Sequence, residues 1–122
     1  MPAGSTPPRT SSAAASCSAV SATRWVLEQG RPSAVVGLSD VLAIGALDVL
    51  AAHGLAAGAD VSVCGFDDIT AAAERGLTTV RQPVLTRGRE VGRLLLDPDS
   101  EPRQVLLPIE LVPRTSTGPA RS

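Results

Sequence analysis

The sequence contains no lysine and no tyrosine, and only one histidine, one tryptophan and one phenylalanine. All eleven basic residues are arginine, set against twelve acids, for a net charge of −1. That balance gives no electrostatic footprint for a phosphate backbone, so the chain is not expected to hold nucleic acid by itself. The two cysteines, Cys17 and Cys64, form no CxxC pair and have no histidine cluster beside them. A disulfide framework and a metal site are therefore not expected. Cys64 reads instead as a small core residue within a strand. No stretch reaches the roughly 18 apolar residues of a membrane span. Residues 1–18 lack the basic start and apolar stretch of a signal peptide. The expectation is a cytoplasmic protein without a membrane partner. GxSxG, GxGxxG and P-loop sequences are all missing. A Ser/His/Asp triad would need the single His53, which falls at the far end of its expected helix, in the last turn, where a cation suits the dipole. A phosphoacceptor domain of the receiver type would need a lysine. No enzyme activity and no cofactor are expected.

What is present is a chain of 122 residues, 43% hydrophobic, enough for one small domain with a modest core. Residues 1–18 are almost all Ala, Ser, Thr, Pro and Gly, a composition expected to be disordered. A helix is expected over 19–29, stopped by Gly30 and Pro32, with Trp25 packed in the core. The short apolar run 33–38 predicts a strand covered on both faces. Ser39 and Asp40 follow as N-cap candidates for a helix running to Gly54, with Leu42, Ala46, Val49 and Leu50 on one face. A second strand is expected over 61–65 and a short helix after Asp68, which would cap it. Then come a strand at 77–80, a helix from Pro83 to about Leu96 with the apolar stripe Val84, Gly88, Val91 and Leu95, and two short strands within 104–112. The polar stretch after Pro113 is expected to be loose.

This alternation predicts an α/β fold with a mostly parallel sheet flanked by helices. In open α/β sheets, ligands bind beyond the carboxyl ends of the strands. Ser39-Asp40, Phe66-Asp67-Asp68 and Arg81-Gln82 all sit at such ends and converge on one rim. Asp67 is expected to face the rim cleft while Asp68 caps its helix. A carboxylate can accept two hydrogen bonds from neighbouring hydroxyls, and an amide such as Gln82 adds a donor and an acceptor. That chemistry suits a polyol.

The segments "PSAVVGLSDVLAIGAL", "GADVSVCGFDDI", "LTTVRQP" and "LLPIELVPRTSTG" resemble, in order and spacing, the C-terminal part of the effector-binding domain of lac-repressor-like (LacI/GalR) transcriptional regulators. The likeness covers about residues 20–118. It implies a partial subdomain of the type I periplasmic-binding-protein fold over 19–118, between a low-complexity segment, 1–18, and a loose tail, 119–122. It implies that Asp67 contacts the hydroxyls of a small effector, a sugar or nucleoside, and it puts Ser39, Asp40, Phe66 and Gln82 beside that ligand. Ser39 stands where the family usually carries Asn. The family dimerises through this subdomain, so a homodimer or self-associating species is expected, with the helix after Asp40 and segment 69–76 as candidate interface. The family's helix-turn-helix has no counterpart here, and operator DNA is implied as a partner only for an intact relative. The chain thus reads as the effector-sensing part of such a regulator, truncated at its N-terminus. A piece of a periplasmic sugar receptor of the same fold is the alternative.

Overall fold

The computed structural model describes residues 12–99 and 101–120. Eight elements follow in order: α1 (Ser12–Gln29), β1 (Ala34–Val36), α2 (Asp40–Ala52), β2 (Ser62–Cys64), α3 (Thr70–Glu74), β3 (Thr79–Arg81), α4 (Val84–Leu96) and β4 (Glu110–Val112). Helix α1 starts seven residues earlier than the sequence suggested, inside the segment expected to be disordered. Residues 1–11 and 121–122, and the side chain of Cys17, lie outside the described residues.

β1 and β2 pair in parallel, Val35 opposite Val63. Single parallel bridges, Cys64 to Thr78 and Asp67 to Arg81, join β2 to β3. β4 runs antiparallel on the far side of β3, with Val80 opposite Leu111. The lateral order is therefore β1-β2-β3-β4, parallel except for the last strand. Only one of the two strands expected within 104–112 forms. Pro108 has no N–H to give a ladder, and the residues before it are mostly exposed.

Helix α2 is the centre of the domain. Ser39, extended at φ −147°, accepts the Leu42 N–H on its hydroxyl at 3.4 Å. At the other end Gly54 adopts φ +69°, Leu55 N–H reaches Leu50 O and Gly54 N–H reaches Ala51 O, the paired bonds of a Schellman stop. His53 sits at this end, its ring Nδ1 2.8 Å from the Val49 carbonyl. With α1 on one side and the strands on the other, α2 buries more than the single face read from its periodicity. Ala43 and Leu47 join Ala46 and Leu50 in a cluster with Val61, Val63, Ala72 and Leu77. Leu50 and Leu77 are fully enclosed, each worth about 1.5–3 kcal/mol in burial.

Three expectations about packing are corrected. Trp25 is 61% exposed, because Ala19 and Thr23 occupy the inward positions of α1. β1 is covered on one face only: Val35 packs against the core cluster, while Ala34 and Val36 point the other way and are exposed, Val36 at 70%. Third, the stretch after Pro113 is built into the interior. Ser116 is buried, its hydroxyl donating to Val63 O (2.6 Å) and accepting from Thr78 N–H (2.7 Å). Its backbone exchanges further bonds with Val63 and Gly76. Helix α4 shows the expected apolar stripe, but no element among the described residues covers it; Val84, Val91 and Leu95 are all more than half exposed.

Candidate functional site

The chain leaves β2 through Gly65 and Phe66 into a turn whose next two residues both take positive φ, Asp67 at +117° and Asp68 at +58°. Two consecutive non-glycine residues in that region store strain of order 1–3 kcal/mol each, so the surroundings must hold the turn. Asp67 N–H bonds Val80 O at 3.0 Å. Asp68 N–H reaches Thr79 Oγ1 at 3.4 Å. Ile69 N–H reaches Asp40 Oδ2 at 2.8 Å. Strain pinned in this way presents the Asp67 carboxylate outward: it is exposed and its one recorded side-chain partner is Gln82 Nε2, 2.8 Å from Oδ1.

Asp40 has the opposite fate. It is fully enclosed. Its Oδ1 accepts the Thr79 hydroxyl at 2.5 Å while Oδ2 holds the turn at Ile69. Gly65 passes so close that a Cβ there would collide with Asp40 Oδ1 and crowd Leu77. Asp40, expected beside a ligand, is here engaged on both oxygens and ties α2, β3 and the 67–69 turn together from beneath. Ser39 is half-exposed and engaged as the cap of α2. Phe66 is half-buried, its carbonyl receiving the Asp40 N–H at 2.8 Å.

Asp68 does not cap α3. The cap residue of that helix is Ile69, which has no side-chain bond to offer. Asp68 is instead the node of an ion-pair group. Arg81 Nε donates to Oδ2 at 2.6 Å and Arg114 to Oδ1 at 2.9 Å, and Arg81 also reaches Glu110 at 3.4 Å. The hydrogen bond from Arg81, and after it the bond and charge of Arg114, hold the Asp68 carboxyl below its usual range against the opposing effect of partial burial. Arg114 further donates to Leu77 O at 2.9 Å. Nothing in the local sequence marks Arg114, 46 residues away, as this partner; the pairing exists only because β4 returns beside β3.

Gln82 is half-buried and its amide is oriented from both ends: Nε2 points to Asp67, and Oε1 accepts from Arg87 at 2.6 Å. Arg87, in the first turns of α4, is exposed and reaches the rim through this bond. Cys64, beneath this rim, is a free, partly buried thiol held above its ordinary range by burial and then by the Asp40 carboxylate, an inert setting. Among the described residues no cluster of three or more His, Cys, Asp or Glu side chains could hold a metal. No described helix is long and apolar enough to cross a membrane.

A parallel α/β sheet with a polar rim at its strand ends is a fold for holding small molecules. The family model described as "Periplasmic binding protein-like domain" matches residues 2–117, and the chain belongs to that family. An HTH-type transcriptional regulator of Mycobacterium tuberculosis is 42% identical over 91 residues, 73% of this chain and 25% of the regulator. A CelR–cellobiose complex superposes with a TM-score of 0.77 at 38% identity, over 83% of this chain and 33% of that one. A dimeric lac repressor does so with a TM-score of 0.79 at 29% identity, over 87% of this chain and 41% of the repressor. These relatives are LacI-family transcriptional regulators, not enzymes, and this chain corresponds to part of their effector-binding domain. It spans about a quarter of the length of the M. tuberculosis regulator it matches.

Proposed function

We propose that the protein senses a small polyol for a sugar-responsive, DNA-binding regulator, and that Asp67 is the residue that takes effector hydroxyls. The observation that carries this is the strained turn. Two positive-φ aspartates are pinned by β3, Asp40 and two arginines so that one carboxylate, bonded to Gln82, stands exposed at the strand ends. Gln82, Ser39 and the Phe66 ring complete the rim, with Asp40 acting beneath it as a positioning residue. Operator DNA belongs to the intact regulator, working in the cytoplasm. This chain carries sensing, and self-association through its exposed apolar surface, without catalysis.

The test is a nuclear magnetic resonance titration of the isotope-labelled 122-residue chain with neutral sugars and nucleosides, cellobiose among them. Shifts are expected at Ser39, Phe66, Asp67 and Gln82, and they should vanish in Asp67→Ala. Shifts confined to the opposite end of the strands, in the pocket of about 270 Å³ lined by Ser33, Asp60, Ser62 and Thr117, or no shifts with any probe, would overturn the reading.

A further inference from the structure

Arg87 is the cation on which the rim turns. The other two arginines near it are committed, Arg81 to Asp68 and Glu110 and Arg114 to Asp68. Among the described residues no carboxylate lies within ion-pair distance of Arg87. Its recorded side-chain bond goes to the neutral Gln82 oxygen, which leaves most of the guanidinium's five N–H donors for something else. The position is also electrostatically unfavoured. Arg87 lies near the start of α4, where the first turn has no acid and the cap has no side-chain bond, and a cation there opposes the helix dipole. Finally, Arg87 and Gln82 form the polar wall of a cleft of about 180 Å³ whose other walls are aliphatic: Pro83, Val105, Leu106 and Ile109. Gln82 thus belongs to two places at once, the Asp67 rim and this cleft.

We infer that the effector is a polyol bearing an anionic group, a carboxylate or a phosphate, and that Arg87 selects it. Asp67 takes ring hydroxyls, Gln82 sits between, and the anion meets Arg87 one amide's width away. The separation keeps the anion off the Asp67 carboxylate, and the aliphatic walls suit the apolar face of a sugar ring. This inference rests on the polyol-sensing role proposed above and extends it to the charge of the ligand.

The experiment titrates the labelled chain with glucose, gluconate and glucose 6-phosphate, following Asp67 and Gln82, in the wild type, Arg87→Gln and Arg89→Gln. Arg89 lies two positions on, around the other side of the helix, and removes the same charge without facing the cleft. One or both anions should bind about ten-fold more tightly than glucose, and which one does distinguishes carboxylate from phosphate. The preference should disappear in Arg87→Gln, persist in Arg89→Gln and shrink at high salt. Equal binding of glucose and both anions, or an equal loss in the two arginine variants, overturns the assignment of Arg87 while leaving the polyol reading standing. No rim shift with any of the three sugars or the earlier panel removes both.

Discussion

Replacing Asp40 by alanine should come close to unfolding the domain. The side chain is fully enclosed and both its oxygens accept: Oδ1 from the Thr79 hydroxyl and Oδ2 from the Ile69 N–H. Hydrogen bonds to a charged group contribute roughly 1.5–3 kcal/mol each, so losing two costs about 3–6 kcal/mol. The Ile69 amide would also be stranded beneath a turn already strained at two residues. Against the 5–15 kcal/mol typical of a whole domain, that is most of the stability at the lower end. Asp40→Asn separates charge from connectivity. Its oxygen can keep the Ile69 N–H while its NH₂ donates to Thr79 Oγ1, which can accept, so the cost should be about 1–2 kcal/mol. Urea denaturation followed by far-UV circular dichroism measures all three chains. An unfolding free energy for Asp40→Ala within about 1 kcal/mol of wild type would refute the argument that this carboxylate clamps α2, β3 and the 67–69 turn. An asparagine variant as damaged as the alanine one would show that charge, rather than connectivity, holds them.

Asp68→Asn should alter the acid limb of stability. Because the folded pKa lies below the usual carboxylate value, the contribution is complete above the unfolded pKa, near 4, and is lost as pH falls through the lower folded value. Melting temperature against pH should therefore drop less steeply below about pH 4 in the variant than in wild type, and parallel curves would contradict the ion-pair role. Ser116→Ala removes an acceptor from Thr78 N–H and a donor to Val63 O inside the core, so a loss of about 2–4 kcal/mol is expected in the same denaturation assay, whereas a loose segment would lose nothing.

The alternation of helices and strands was legible because each carries a local signal: the Ser39 cap, the Gly54 stop and the short β-branched runs. Where that signal is ambiguous the boundaries moved, as at 77–80, where the strand begins at Thr79 and Leu77 drops into the core instead. The rim was legible in outline, since strand ends are where a parallel sheet puts its loops. Its division of labour was not. Asp40 and Asp67 are both carboxylates following a strand, and nothing nearby says that one is enclosed and the other exposed. Asp68 resembled a helix cap because caps are read from the next three residues, while its true partners come from β3 and from beyond β4. Trp25 failed for a simpler reason. A large aromatic is usually interior, but here small residues, Ala19 and Thr23, permit close approach of α1 and α2 and push the indole out.

Ser116 closes bonds to Val63, 53 residues earlier, and to Thr78, 38 residues earlier. During synthesis β2 and β3 therefore emerge long before the residue that satisfies their inner faces. Until then those Val63 and Thr78 backbone groups are met only by water, so β2 and β3 lack these bonds until Ser116 arrives. Folding should be a late, all-or-none event limited by that distant closure. A chain cut just before Ser116 should keep its helices yet be open to protease, because the bonds to Val63 and Thr78 cannot form.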